Sequence, residues 1–233
     1  MCVRAVTVGF WLYACIIPLM AASVASKPST RALLLQAGRV IVRRHGFHGL
    51  TVRAVAAAAD ANLGSFVYHF GTRDAFVAEL IEDWYAPLML RVTGIIDIEV
   101  PPVDRLRQAV VQIIDFVSEN DDLIGHIFTA ALAGDRTVRN FLGSLAGRHP
   151  RILLKLIAEA QAANQLASED PLQVACFLMS SVGLPRLIAA GWQGPPLFPK
   201  SIATSISRIA RDRDCILQRL DWALRGLSTR VPR

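Results

Sequence analysis

Thr51-Val52-Arg53-Ala54-Val55-Ala56-Ala57-Ala58-Ala59-Asp60-Ala61-Asn62-Leu63-Gly64-Ser65-Phe66-Val67-Tyr68-His69-Phe70 has the proportions of two short helices joined by a tight turn. Thr51 is placed to cap the first helix, and Val52, Val55, Ala56 and Ala59 then share one face of it. Leu50 ahead of the cap and Val55 inside the helix have the spacing of a hydrophobic staple. Small Ala56 lets the two helices cross closely, while Val55, Ala59, Ala61 and Phe66 supply the core between them. Asp60 stands where the turn most wants a positive φ. Glycine is the usual occupant, but aspartate tolerates the left-handed region better than most residues. The second helix is expected from about Asn62 to Phe70.

Outward from this stretch the pattern stays helical. Leu34, Ala37, Ile41 and Val42 repeat at helical spacing after a Ser29-Thr30 cap and stop at Gly46. Gly71-Thr72 opens a longer helix with Val77, Leu80, Ile81, Trp84 and Leu88 inward, which Pro87 is expected to kink or end. Beyond Pro101-Pro102, helical segments are read near 103–118, 122–133, 136–146, 150–165, 170–190 and 203–227, with the clearest loop at 191–196. No run of strict alternation bounded by turns appears, so an all-α fold is expected. Its organisation reads as an apolar N-terminal extension over 1–26, a helix-turn-helix unit over 27–87 and a helical body over 88–233.

Charge divides along the same lines. Residues 1–73 hold eight Lys and Arg against Asp60 alone, residues 74–170 eight against fifteen acids, and residues 171–233 nine against three. A basic head on an acidic body is the layout of a nucleic-acid-binding module joined to a partner that does not bind, although basic charge suits an anionic membrane surface equally well. The 233 residues are 53% apolar, above the usual soluble share of about 45–50%. Much of the excess is local: twenty of residues 1–26 are apolar, and no charge falls between Ala5 and Ala25. Such a run is long enough for a membrane anchor, has small residues behind it as a secretory signal would, or precedes a true start at Met20. Without it the apolar share falls to about 50% and the cysteines to Cys176 and Cys215, which fits the cytoplasm better than export.

Catalytic signatures are missing. The sequence contains no GxSxG, GxxxxGK[ST], HExxH or GxGxxG. Asp121-Asp122 and Glu169-Asp170 fall at helix starts, where they complement the helix dipole. His45 and His48 have no third ligand nearby in sequence, and the four cysteines show no CxxC spacing, so neither metal nor cofactor is expected. Cys176, on an apolar helix, reads as packing.

From Ser29 to Trp84 the sequence resembles the tetracycline-repressor (TetR/AcrR) family of bacterial transcription regulators. The likeness rests on His45-Gly46-Phe47, Gly49-Leu50-Thr51-Val52 and above all on Asn62-Leu63-Gly64-Ser65-Phe66-Val67-Tyr68-His69-Phe70-Gly71-Thr72-Arg73-Asp74. It implies a short third helix laid in the major groove of double-stranded DNA. Asn62, Leu63, Gly64, Ser65, Val67, Tyr68 and His69 are its candidate groove face, with Thr51, Arg53 and Arg73 as candidate phosphate ligands and Arg53 long enough to reach a guanine edge. Tyr68 and His69 have a second reading, as a buried polar pair between helices. Three positions depart from the family's habit: Leu63 stands where lysine is common, Val67 where tyrosine is, and Asp60 where glycine is. Operator sequence therefore does not carry over from relatives.

Past about residue 90 the resemblance is architectural only. It implies a homodimer through the apolar segments 171–190 and 203–227, with Val174, Phe177, Leu178, Ser181, Val182, Pro185 and Ile188 along the first, and two heads reading a near-palindromic operator. The body is expected to enclose an apolar pocket for a small-molecule effector, with Trp84, Tyr85, Met89, His126, Phe128, His149 and Trp192 as lining candidates. The reading is a cytoplasmic transcriptional regulator, not an enzyme, acting as a repressor released by a small apolar effector. The alternative is a membrane-tethered helical protein anchored by residues 5–25, with DNA binding secondary or lost.

Overall fold

A computed structural model describes residues 28–191 and 199–229. The N-terminal extension, Trp192 and most of the 191–196 loop lie outside the described residues. Four helices come first: α1 (Thr30–His45), α2 (Val52–Ala58), α3 (Leu63–Phe70) and α4 (Arg73–Thr93), with a 3-10 turn at Phe47–Gly49 before α2. Then follow α5 (Pro102–Glu119), α6 (Asp121–Leu132), α7 (Arg136–Ser144), α8 (His149–Ala162), α9 (Pro171–Gly191), α10 (Lys200–Arg211) and α11 (Arg213–Leu227). Among the described residues the one β-type pairing is an isolated bridge between Leu166 and Ser228, and no helix is long and apolar enough to cross a membrane.

The four helices of the head begin on side-chain caps. Ser29 Oγ accepts from the Ala32 N–H at 3.2 Å, Thr51 Oγ1 from Ala54 at 3.1 Å, Asn62 Oδ1 from Ser65 at 2.7 Å and Thr72 Oγ1 from Ala75 at 3.1 Å. Each satisfies a backbone donor that the helix itself leaves free. Asp60 adopts φ 49°, the left-handed geometry that the tight turn between α2 and α3 was expected to demand. Beneath this turn Phe66, Phe70 and Phe76 form an aromatic triangle with ring centroids 4.8–5.5 Å apart, closed by Leu34, Leu50 and Val55. The same buried apolar cluster continues through α4 into the body as far as Leu224.

Two expectations about helix limits change. Pro87 does not end its helix, because α4 continues to Thr93. The proline lies on the exposed face, so the Asp83 carbonyl that loses its helical partner is turned toward water. The expected single helix over 203–227 is two, α10 and α11, divided at Asp212. Asp212 leaves helical geometry at ψ 120° and accepts from the Cys215 N–H at 2.9 Å, capping α11.

α9 also differs from its expected role. Val174, Leu178 and Val182 are buried in the core of their own chain, whereas Phe177 of the same run is half exposed, with Leu172 and Leu184 alongside. Helical spacing puts the two sets on different faces, so one helix serves both the core and an open surface. The side chain of Ile188 lies outside the described residues. Arg219 of α11 ties the layer together by donating to the carbonyls of Ser181 and Ile209, both at 3.0 Å.

Close approach of α1 to α4 depends on Gly38. A Cβ there would sit 2.6 Å from Phe76 Cζ and 3.3 Å from Leu80 Cδ2. Gly38→Ala is therefore expected to lower stability by about 1–3 kcal/mol through overpacking, read as a lower urea midpoint with an unchanged m-value.

Candidate functional site

α3 is eight residues long and two-faced. Phe66 and Phe70 point into the aromatic triangle, while Leu63, Val67 and Tyr68 are 46%, 56% and 85% exposed. Asn62 and Gly64 are exposed beside them, and Ser65 and His69 are half-buried at the edges of the face. Tyr68 is too exposed to be part of a buried polar pair. Its ring instead meets His69 edge-on at 5.1 Å across the outer surface. Thr51 and Arg53, at the start of α2, are exposed too. Asn62 spends its side-chain oxygen on the cap, which leaves its amide N–H groups as the outward-facing donors.

Arg73 does not sit as an open phosphate ligand. Its Nε donates to the Leu50 carbonyl at 2.8 Å and Nη2 to the Phe47 carbonyl at 2.7 Å, with Nη1 3.5 Å from Asp74 and 4.0 Å from Asp135. The guanidinium thus locks the chain entering α2 onto the start of α4. The Phe47 carbonyl already accepts from the Leu50 N–H at 3.2 Å within the 3-10 turn, and the rigid two-donor fork adds a second bond there and one at the Leu50 carbonyl.

The body holds a cavity of about 470 Å³ between α4, α5, α6, α7, α8 and α9. Of the expected lining residues, Trp84, Tyr85, Phe128 and His149 reach it. Met89 does not, because its sulfur lies behind Tyr85 and accepts the phenol at 3.3 Å. His126 does not either. On α6 the residues Ile124, Ile127 and Phe128 face the cavity, and His126 falls on the other side, its Nε2 3.3 Å from the Arg43 carbonyl at the end of α1. α6 therefore touches the cavity with one face and the helix-turn-helix unit with the other.

Sequence reasoning missed the cavity's charged pair. Arg186 of α9 is buried, with Nε 3.0 Å from Asp121 Oδ1 and Nη1 3.2 Å from Ser118 Oγ. A usable signal was present, since Arg186 is the single charge between Asp170 and Lys200. Cys176 is exposed at the cavity's edge rather than packed inside, because Val174 and Leu178 occupy the inner face of α9. The second polar locus is Tyr85 Oη, 2.5 Å from His149 Nδ1. Burial raises the Tyr85 phenol above its ordinary value and lowers the His149 imidazole to about 4. Among the described residues no group of three or more His, Cys, Asp or Glu is placed to hold a metal.

Residues 34–80 match the family described as bacterial regulatory proteins, tetR family. The HTH-type transcriptional repressor DhaR of Mycobacterium sp. (strain GP1) is 26% identical over 171 residues, covering 72% of this chain and 81% of that protein. Among solved structures, a protein of unknown function from Rhodococcus sp. RHA1 is similar at TM-score 0.64 and 18% identity, covering 89% of this chain and all of that one. The ketosteroid transcriptional regulator KstR2 of Mycobacterium tuberculosis is similar at TM-score 0.60 and 18% identity, covering 87% and 97%.

The depressed His149 value fixes a direction for stability against pH. Below about pH 6.5 the unfolded chain takes up a proton that the folded site resists, so stability falls as pH drops from 6.5 toward 4. His149→Gln is expected to remove roughly 2–3 kcal/mol of that acid-side loss. Urea titrations at pH 7.5, 6 and 4.5 check this, the variant showing the flatter dependence.

Proposed function

We propose a working arrangement for this chain, which is a member of the tetR family of bacterial regulatory proteins and a DNA-binding transcriptional repressor. Two copies associate, each lays α3 in the major groove of one half of a near-palindromic operator, and a small apolar molecule in the body releases them. The observation that carries the reading is the outer face of α3. A tyrosine 85% exposed beside two exposed aliphatics, its ring touching His69 edge-on at the surface, suits an external partner. Leu63 and Val67 there suit the thymine methyl groups, Tyr68 and the Asn62 amide suit phosphate or base edges, and Arg53 supplies charge.

Dimerisation is assigned to the open face of α9 together with α11, where Phe177, Leu184 and Trp222 are about half exposed. Release follows from the position of α6. An effector that binds better when α6 is displaced favours a spacing of the two heads that no longer fits successive grooves, and the DNA-bound population falls. Coupling of the head to α6 runs through the His126–Arg43 contact, and the Arg73–Asp135 pair ties the head to the cap of α7 just beyond α6. The cytoplasm, where the operator is, is the assigned location, and the chain's task is regulation rather than catalysis.

The full chain is expected to retain a fragment of the DNA upstream of its own gene in a gel-shift assay, with affinity falling steeply between 50 and 200 mM salt, the range over which phosphate contacts weaken most. Arg53→Ala/Tyr68→Ala should bind roughly tenfold or more weakly at fixed salt, while circular dichroism and stability stay close to wild type. Equal binding by the two proteins would sink the assignment of α3 as the reading helix.

A further inference from the structure

The repressor reading leaves the chemistry of the effector open, and the cavity's own polar groups narrow it. We propose that the cavity takes an uncharged, largely apolar molecule with one acceptor oxygen, and that the Nε2–H of His149 is the group that holds this oxygen. The inference rests on the effector-release reading and adds the class of molecule.

The buried cation of the cavity, Arg186, is already paired. Arg186 is matched by Asp121 at 3.0 Å, and a second cation, Arg211, stands 3.9 Å from the same carboxylate on its solvent side. An entering anion would share Arg186 with Asp121 and meet that carboxylate at close range, and an entering cation would meet Arg186 itself. The surplus cation, Arg211, stands half exposed on the solvent side, so inside the cavity neither finds an unspent counter-charge, and a desolvated charge without one is strongly disfavoured. The remaining walls are apolar or aromatic, with Ile113, Phe116, Ile124, Phe141, Leu142 and Met179 prominent.

Among the described residues two ring N–H groups of the lining are left over, Trp84 Nε1, buried without a hydrogen-bond partner beside Phe116, and one on His149. His149 Nδ1 lies 2.5 Å from Tyr85 Oη, and the phenol has two acceptors in reach, this imidazole nitrogen and the Met89 sulfur at 3.3 Å. Imidazole is much the stronger acceptor of the two. The phenol proton therefore goes to Nδ1, and the ring proton resides on Nε2. Among the described residues Nε2 has no hydrogen-bond partner, and the ring lines the cavity. Burial keeps the imidazole neutral near pH 7, so it offers a donor and no charge. A carbonyl, ester or ether oxygen satisfies that donor. A saturated hydrocarbon leaves it unmet, and a carboxylate brings a charge that nothing inside the cavity balances.

Three ten-carbon probes separate these cases: decan-2-one, decanoate and decane. Binding to the full-length protein at pH 7.5 is followed by tryptophan quenching, since Trp84 lines the cavity, and by thermal shift. Decan-2-one is expected to bind at least about tenfold more tightly than decanoate. His149→Phe should weaken the ketone about fivefold, toward the affinity of decane. His149→Gln, which keeps an N–H near the position of Nε2, should stay within about twofold of wild type. Equal or tighter binding of decanoate overturns the proposal, as does unchanged ketone affinity in a folded His149→Phe protein, or no ketone binding at all. Should His149→Phe fail to fold, the wild-type ratio of ketone to decanoate decides alone. Retention of upstream DNA by the same preparation without ligand tests the repressor reading separately, so the failure of one is told apart from failure of the other.

Discussion

An eight-residue helix has almost no stability of its own, because nucleating it costs more than its few hydrogen bonds return. Everything the head does depends on holding α3 in place while leaving half of it bare. The Phe66–Phe70–Phe76 triangle meets that constraint: two rings from α3 and one from α4 bury the inner face, with Leu34 of α1 and Val55 of α2 closing around them. Asn62 fixes where α3 begins, and Gly71, at φ 69°, fixes where it ends. With the inner face so committed, the outer one is free to carry residues chosen for an external partner.

Rigidity of the head has a second source in Arg73. By bonding the Leu50 and Phe47 carbonyls it makes the entry to α2 and the start of α4 move as one piece. Since α4 also lines the cavity through Trp84 and Tyr85, and α6 touches both cavity and head, the body is joined to α3 by short, packed connections. A change in what fills the cavity thus has a physical route to the orientation of α3. Among the described residues one buried apolar cluster runs through both head and body.

How much of this could be read beforehand followed the range of the interactions. The helices of the head, their Ser29, Thr51, Asn62 and Thr72 caps and the unusual backbone at Asp60 are set by neighbours within four residues. Such features are legible because a cap or turn constrains residue type directly. The break at Asp212 was equally local and was missed for a definite reason: apolar periodicity runs through it, and only the capping geometry reveals the stop. Of the two effects expected of Pro87, the ending does not occur: α4 runs on to Thr93 with the proline on its exposed face.

Sequence by itself determined an all-helical chain, a basic helix-turn-helix head with Tyr68 and Arg53 on it, and an apolar body. Periodicity, capping and charge are short-range properties written in consecutive residues, and the family likeness lies in one such consecutive run. Only the tertiary structure decided that Arg73 serves the backbone of its own chain, that His126 faces the head, and that Met89 lies behind Tyr85. It alone brought Arg186 to Asp121 across 65 residues, and Tyr85 to His149 across 64. Helical spacing says which residues share a face. Which face meets which neighbour depends on how six helices close around a single space, and no local pattern encodes that.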